Sequence, residues 1–482
     1  MSDTHHREFS ELPISVDRGL GVPLPAQIAA AIRESIDSET LRPGEPLPAT
    51  RELAQRLRVA RGVVVSAYEQ LIEEGYLSAA HGRGTRVHTQ LSFTGHRGPQ
   101  LMQSDQGTQQ HINEPENPVE LKPLAPGAPD TASVNTAAWR AAWRQAAARA
   151  HLEAPALGDT HLRAQISEHL RRMRGTPRPV GDVIVTAGAR EGLSLLLTTL
   201  SKARGRSLRV GVEDPGYPSL RSVASAHGSS IVPLTVDAEG LDPSQLPSAP
   251  LDVVIVTPSH QYPLGASLPL VRRRELLQWA AQSGAVIVED DYDSDLRHTG
   301  TPLPTLAALD DPMHGSVVLL GTFSKTVSPA LAAGYLLAPH DLRQMLEPVR
   351  HNLGGPVSAV VQTALAEYLA SGELRKHTTR VRRRYAKRRE LVVERLLGVS
   401  GVRVLPMSGG LHAVVEFMHA DAATEEQVVQ QCEQLGPVPL SAYWQGQRDK
   451  FGLVIGTGGS LEDDPFAEAL DDLRSILLAY FE

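Results

Sequence analysis

The chain has 482 residues, 41% hydrophobic, 21% charged and only 4% aromatic, with a formal net charge of −8. That length exceeds a single hydrophobic core and predicts two or three domains of ordinary soluble composition. One cysteine, Cys432, excludes an internal disulfide framework and fits a reducing compartment.

The net charge does not advertise a nucleic-acid partner, but whole-chain charge is a poor guide when one small domain does the binding. The first residues, MSDTHHREFSELP, hold no apolar stretch of the kind a secretory signal needs. No apolar run is long enough to span a bilayer. The expectation is a cytoplasmic protein with no membrane partner.

In chain order, PLPAQIAAAIRESIDS places Leu24, Ile28, Ala31, Ile32 and Ile36 on one helical stripe. LRPGEPLPA reads as a turn region. TRELAQRL (Thr50–Leu57) predicts a short helix with Leu53, Ala54 and Leu57 facing inward, and Arg58 to Arg61 predict a tight turn of four residues. GVVVSAYEQLIEEG turns Val64, Ala67, Tyr68 and Leu71 to one face, with Gly75 placed to end the helix. Two short helices about such a turn form a helix-turn-helix. YLSAAHGRGTRV then predicts a hairpin tipped by Gly82-Arg83-Gly84. Basic residues crowd this region, first Arg51, Arg56, Arg58 and Arg61, then His81, Arg83, Arg86 and His88. Charge alone leaves open that they are solvated surface.

The pattern around them decides. From Leu24 to Val87 the chain resembles the GntR family of winged helix-turn-helix regulators, through LRPGEPLPATRELAQRLRVARGVVVSAYEQLIEEGYL and HGRGT. The resemblance implies contact with double-stranded operator DNA through Arg51, Arg61 and Ser66 on the helices and His81, Gly82 and Arg83 in the wing. An arginine at the start of a recognition helix can reach guanine O6 and N7 together. A glycine-tipped hairpin lets the backbone approach a minor groove or phosphates. The chain departs from the family's usual Ser at Ala49 and Ala60 and from its usual Thr at Val63, which implies fewer phosphate contacts and a weaker or different operator.

From Thr89 to about Asn117 the sequence is rich in Gln, Gly, Ser, Pro and Asn and lacks apolar periodicity, as a linker does. The expected organisation is therefore a reader over residues 12–89, a linker over 90–120 and a large domain over 121–482. The last divides into a larger part, about 155–345, and a smaller α+β part, about 350–482. Apolar strands then recur, at Val183–Gly188, Leu208–Tyr217, Leu251–Pro258, Ala285–Asp291 and Ser316–Lys325. Each is almost continuously aliphatic, as parallel strands buried on both faces are. Helical patterns such as REGLSLLLTTLS and LPLVRRRELLQWAAQSG separate them, which argues for an α/β fold with a parallel-rich central sheet.

The strand ends carry the chemistry. VTAGAREGL sets Gly188, Ala189 and Arg190 at a helix N-terminus, which suits a phosphate. EDPGYPSL offers Tyr217 to stack on a flat ring or, equally, to fill core. AVIVEDDYDSDL ends a strand in Glu289, Asp290 and Asp291, where a carboxylate could keep a pyridine nitrogen protonated. No His, Asp or Glu recurs at metal-ligand spacing, so no metal is expected. GTFSKTVSP ends another strand at Lys325, a Schiff-base candidate framed by the hydroxyls of Thr322, Ser324 and Thr326.

With TAGAREGL, EDPGYP, TPSHQYPLG, VEDDYDSDLR and GTFSKT, this domain resembles the fold type I aminotransferases. Joined to a GntR reader it is similar to the MocR (GabR-like) regulators. The resemblance implies pyridoxal 5′-phosphate (PLP) on Lys325, with Asp290 at the pyridine nitrogen, Tyr292 at the ring hydroxyl and Tyr217 on the ring face. Gly188, Ala189, Arg190, Thr322 and Ser324 would hold the phosphate. His260, Gln261 and Tyr262 would border an effector pocket. It also implies a homodimer.

Ala332 and Ala442 stand where the resemblance implies arginines, and Ser219 where it implies that some members carry a further one. A lost charge-assisted arginine–phosphate contact weakens cofactor binding by about 1.5–3 kcal/mol. The missing carboxylate arginine at Ala442 disfavours transamination, because amino and keto acids both bring a carboxylate. Three readings follow in order: a PLP-dependent regulator sensing an amine, an amino acid derivative or PLP itself; a PLP-independent regulator on a degenerate fold; and an active aminotransferase.

Overall fold

The computed structural model describes residues 14–38, 40–80, 84–89, 122–151, 153–298 and 304–481, which form two compact units, one within Met1–Glu114 and one within Pro115–Glu482.

In the first unit, α1 (Leu24–Asp37), α2 (Thr50–Leu57) and α3 (Arg61–Glu73) precede a hairpin of β1 (Leu77–Ala80) and β2 (Gly84–Val87). The apolar stripes dictate how they pack. Ile28, Ile32 and Ile36 of α1 are fully buried with Val64, Ala67 and Leu71 of α3 and Leu53 of α2. Each such aliphatic side chain contributes about 1.5–3 kcal/mol on burial. The Tyr68 hydroxyl donates to the Pro48 carbonyl at 2.9 Å, fixing α3 against the turn before α2. Arg58 closes α2 in the left-handed conformation (φ 52°), and α3 begins at Arg61 itself. The turn is thus Arg58–Ala60, one residue shorter than the sequence pattern predicts, because extended Ala60 already delivers Arg61 in helical geometry. Leu77 pairs with Val87 across the hairpin. The hairpin tip, with His81, Gly82 and Arg83, lies outside the described residues.

The second unit is built on an eight-stranded sheet. Its strands are β3 (Val183–Thr186), β4 (Arg209–Asp214), β5 (Ser230–Asp237), β6 (Gly240–Leu241), β7 (Val253–Val256), β8 (Val286–Asp291), β9 (Val317–Thr322) and β10 (Gly334–Leu337), in the spatial order β3-β10-β9-β8-β7-β4-β5-β6. Strands β9, β8, β7, β4 and β5 are parallel. Alternate residues face opposite sides. Val183, Val185, Val254 and Ile287 meet α5 (Thr160–Arg174) and α8 (Leu270–Ser283), whereas Ile184, Val253, Val288 and Val318 meet α6 (Ala189–Arg204) and α7 (Pro218–Ala226). The remaining helices of this region are α4 (Ala137–Ala147), α9 (Leu306–Leu309), α10 (His340–Leu353) and α11 (Ala359–Ala370).

The sheet is less uniform than the strand composition suggests. β10, absent from the sequence reading, lies between β9 and β3 and is antiparallel to both. Residues 323–333 alone join β9 to β10. That is too short for the crossover a parallel pair requires, so the chain must turn back.

The smaller part begins with α12 (Glu373–Leu396) and holds an antiparallel sheet of β11 (Val402–Val404), β12 (His412–Phe417), β14 (Phe451–Gly456) and β13 (Val438–Pro439), in that order. α13 (Ala422–Gln431) and α14 (Asp463–Phe481) cover it, burying Val428, Phe466, Leu470 and Leu473. The segment from Leu124 to Ala128 runs beside β14. Gly456 N–H donates to the Leu124 carbonyl at 2.8 Å and Gly459 N–H to that of Ala128 at 2.7 Å. Among the described residues no helix is long and apolar enough to cross a membrane.

Candidate functional site

On the first unit, Arg51 sits in the opening turn of α2, and Arg61 opens α3 with Ser66 one turn and a half further on; all three are exposed. Arg61 Nε donates to Thr50 Oγ1 at 3.3 Å, so the start of one helix holds the guanidinium that begins the next. Neither α2 nor α3 has a side-chain N-cap, because Ala49 and Ala60 carry no acceptor.

On the second unit, the C-terminal ends of β3, β8 and β9 open onto a cavity of about 580 Å³. Lys325, three residues past Thr322 at the end of β9, reaches into it, and its Nζ donates to the Gly127 carbonyl at 2.7 Å. Burial holds the amine below the usual lysine range, Arg190 pushes it the same way, and Asp293 and Asp290 oppose. Gly127 has φ +87°, and a Cβ there would lie 3.1 Å from that Nζ.

Asp290 ends up in the cavity wall because β8 delivers it there. It is 4% exposed, and its Oδ1 is buried without a hydrogen-bond partner. Burial, reinforced by the charges of Asp291, Asp293 and Glu213, pushes its carboxyl up to about 8. A carboxyl so placed lacks only a cationic N–H donor. Asp291 is spoken for, with both oxygens on buried Arg174 at 3.0 Å. Glu289 accepts from the Leu306 and Ala307 amides at the start of α9, at 2.9 and 3.1 Å. Of the three acidic residues at this strand end, Asp290 is the one that faces the cavity.

Opposite, α6 starts at the cavity wall. Its cap, Gly188, has φ +90°, a conformation that favours glycine, and Ala189 and Arg190 form the first turn beside Thr322 and Ser324. The first turn of a sixteen-residue helix concentrates positive potential. Arg190 Nε donates to Ser219 Oγ, which steadies the guanidinium at the rim.

Tyrosines line the rest. Tyr217 meets Tyr262 edge-on at 5.3 Å, and Tyr262 meets Tyr292 at 5.5 Å and Tyr443 at 5.3 Å. The Tyr292 hydroxyl donates to the His260 carbonyl at 3.1 Å and lies 3.0 Å from His260 Nδ1. His260 itself is buried behind this wall, its Nδ1 bound to Asp293 at 2.9 Å. Gln261 is buried too, donating to the Pro215 and Tyr262 carbonyls at 2.8 Å. Of the three residues expected at an effector pocket, Tyr262 lines the cavity; His260 and Gln261 support it from behind, His260 through Nδ1 on Asp293 with its Nε2 buried and unpartnered, and Gln261 through its amide on the loop carbonyls. Ala332 and Ala442 both line the cavity. Among its lining residues Arg190 and Lys325 are the only arginine or lysine side chains.

Several lining residues escaped the sequence reading. Gly127 comes from the strap along β14, and Leu411, His412, Val438 and Tyr443 come from the smaller part. His412 Nε2 donates to the Pro263 carbonyl at 3.0 Å, and burial pushes its imidazole down to about 4, so it stays neutral. The glycine pair Gly409-Gly410 before it was the one available signal. Gly409 bridges to Arg297, and Gly410 (φ +86°) passes so close to His260 and Asp293 that a Cβ would stand 2.6 Å from the imidazole. Among the described residues no cluster of His, Cys, Asp or Glu could hold a metal ion.

Comparison with known proteins places both units. Residues 121–437 match the family "Aminotransferase class I and II", and residues 24–87 match "Bacterial regulatory proteins, gntR family". The chain is 42% identical to the HTH-type pyridoxine biosynthesis transcriptional regulator PdxR of Corynebacterium glutamicum, over 94% of this chain and 96% of that one. It is 30% identical to "Probable rhizopine catabolism regulatory protein MocR" of Rhizobium meliloti, over 96% of each. Among solved structures it resembles a kynurenine aminotransferase of Pyrococcus horikoshii (TM-score 0.65, 23% identity, 74% of this chain and 91% of that one). It likewise resembles the α-aminoadipate aminotransferase LysN of Thermus thermophilus (TM-score 0.65, 23% identity, 75% and 93%). At that identity the likeness is one of fold.

Proposed function

Because the chain belongs to the MocR-like GntR regulators, DNA-binding transcriptional regulators with an aminotransferase class I and II domain, we propose that it senses PLP itself and controls a promoter of vitamin B6 supply. In this reading residues 12–89 bind the operator, 90–120 link, and 121–482 bind the ligand and pair two copies in a cytoplasmic homodimer. Two readers on one dimer meet two operator half-sites.

The observation that carries the reading is the cavity's charge inventory. PLP, when bound, supplies an aldehyde for the Lys325 amine, a ring nitrogen and a phosphate dianion. Each has a counterpart: the depressed amine of Lys325, the unpartnered Oδ1 of Asp290 and the first turn of α6 with Arg190. In this reading the Tyr217 ring covers a flat heteroaromatic, and the Tyr292 hydroxyl, which donates to the His260 carbonyl, accepts from the ring hydroxyl. That assignment uses both cations of the lining. With Ala332 and Ala442 in place of arginine, no cation is left to receive the carboxylate of an amino acid. An occupant complete with the cofactor alone suits this cavity best, and the name of the 42% identical relative agrees with it.

The test is the visible spectrum of the purified chain with and without added PLP, beside Lys325→Ala, paired with operator binding under the same conditions. The reading expects a band that requires Lys325 and a change in operator affinity at matching PLP concentrations. An absent band at excess PLP would overturn it in favour of a regulator that uses the fold without the cofactor. A band with no effect on operator affinity until an amine is added would instead make PLP a prosthetic group and the amine the signal.

A further inference from the structure

We propose that the exposed face of α12 is a second DNA-contacting surface, which binds phosphates without reading sequence. The proposal rests on the reading of the chain as a DNA-binding regulator but concerns residues outside the reader.

In a chain of net charge −8, α12 (ELRKHTTRVRRRYAKRRELVVERL) carries Lys or Arg at ten of its 24 positions. Several have structural duties. Arg384 pairs with Asp130 at 2.9 Å and Asp463 at 3.3 Å, buried Arg388 with Asp463 at 3.1 Å, and Arg395 with Asp471 at 2.7 Å. Lys376 pairs with Glu373 and Lys387 with Asp463, at 2.7 and 3.2 Å. Arg375, Arg380 and Arg383 are exposed and form no ion pair among the described residues. At about 100° per residue they fall within one arc of about 140°, and they span about 12 Å of helix. Of the helix's own carboxylates near that side, Glu373 at its start is paired with Lys376, and Glu390 and Glu394 come in its last two turns.

The surface continues onto α4. Arg380 lies close enough to Tyr368 to bias its phenol, and the Tyr368 ring meets Trp139 edge-on at 5.1 Å. Trp139 borders an open groove flanked by Arg140 and Arg144. Two helices thus present arginines on one side of the unit.

Like charges this close destabilise a helix in isolation, and nothing in the local packing requires arginine at exposed positions. A polyanion removes the repulsion. A DNA duplex presents one charge per about 1.7 Å, hence about seven along the length these three residues span. Arginine, with its planar fork of donors, suits phosphate oxygens.

The experiment measures binding of the full chain to an operator fragment selected by the wild type and to a scrambled duplex of equal length, across a salt series. It compares wild type with R375Q/R380Q/R383Q, the single variant R383Q and R61A. The slope of log K against log salt is expected to fall by about 0.9 for each arginine that leaves a phosphate. The ratio of operator to scrambled affinity should stay at the wild-type value. R383Q, with its single exposed change, should show the one-contact decrement if the triple variant folds poorly. A wild-type slope in R383Q and in the folded triple variant, with R61A lowering the ratio, would overturn the surface and leave the reader standing. A lowered slope with no effect of R61A would support the surface and overturn the reader.

Discussion

The amine of Lys325 and the carbonyl of Gly127 meet at 2.7 Å across 198 positions of sequence. The strap that carries Gly127 is fastened to β14, so the lysine is held by the smaller part of the unit although β9 of the large sheet delivers it. Gly127→Ala tests the tether. At φ +87° an alanine is strained by about 1–2 kcal/mol, and its Cβ would stand 3.1 Å from Nζ. The variant should lose about that much stability in urea titration and form the PLP-dependent visible band weakly or not at all. A band at wild-type PLP concentrations would show that Lys325 does not depend on this partner.

How far the sequence foretold the site follows from where its residues come from. Gly188, Asp290 and Lys325 were legible because each ends a nearly all-aliphatic strand, and a change from apolar to polar at a strand end is a local signal. So was the start of α6. Gly127, His412 and Tyr443 were not, since they reach the cavity only through the pairing of the strap and β12 with β14, which no spacing in the sequence records. β10 was missed for a related reason. Its four residues, Gly334–Leu337, carry no periodicity of their own, and their antiparallel direction is set by the short loop from β9. His260 and Gln261 were placed in the right loop, but whether a loop side chain lines a cavity or supports it is decided by Asp293 and Pro215, which lie far away in sequence.

Asp290 gives the cofactor-free chain a characteristic pH dependence. Its carboxyl is pushed up to about 8, and those of Glu213 and Glu289 to about 7, burial being the main cause in each. A raised folded-state value means that the native chain binds more protons than the unfolded one. Stability is then fully present below about pH 4 for these groups and is lost as pH rises through 7 to 8. Asp290→Asn removes one of the three. Its stability should fall less steeply between about pH 4 and 8, by up to about 1.4 kcal/mol per pH unit. Urea titrations at several pH values without PLP read this directly, and an unchanged slope would mean that Asp290 is ionised in the apo chain.

The recognition helix lacks a side-chain cap. Ala60→Ser supplies an acceptor for the amides at the start of α3, and Ala49→Ser does the same for α2. Each should stabilise the reader by about 1 kcal/mol. The measurement is the thermal midpoint of the full chain followed by a probe in the reader, for instance fluorescence of a dye attached there. If the serines are neutral, backbone neighbours or water already satisfy those amides.

Arg61 and Arg83 should respond differently. Arg61 is held at Thr50 Oγ1 where it can present its fork to a base edge, so Arg61→Ala should cost about 1–3 kcal/mol at the operator and blur preference at one base pair. Arg83 belongs to the wing predicted from sequence. Arg83→Ala should weaken operator and scrambled DNA alike and reduce the salt slope by about 0.9. A competition assay against single-base operator variants separates the two, and indifference to both changes would refute the reader assignment.

The two alanines of the cavity lining offer the sharpest reversal. Ala442 occupies the turn Leu440–Tyr443, and Ala332, with φ 43°, follows the turn Pro329–Leu331; both line the cavity. Ala332→Arg adds a cation where a phosphate is expected. It should tighten PLP by about 1.5–3 kcal/mol, read as a shift in the titration of the visible band. Ala442→Arg adds one on the side bordered by Tyr443, where the present lining offers no cation. The cavity should then accept α-amino acids, and the band of the PLP-loaded variant should change on adding them while the wild type stays silent. If the wild type already responds to amino acids as strongly as Ala442→Arg, a carboxylate is being received without an arginine, and the argument that PLP alone fills the cavity fails. If only the variant responds, the charge inventory of the lining is what confines the wild type to the cofactor.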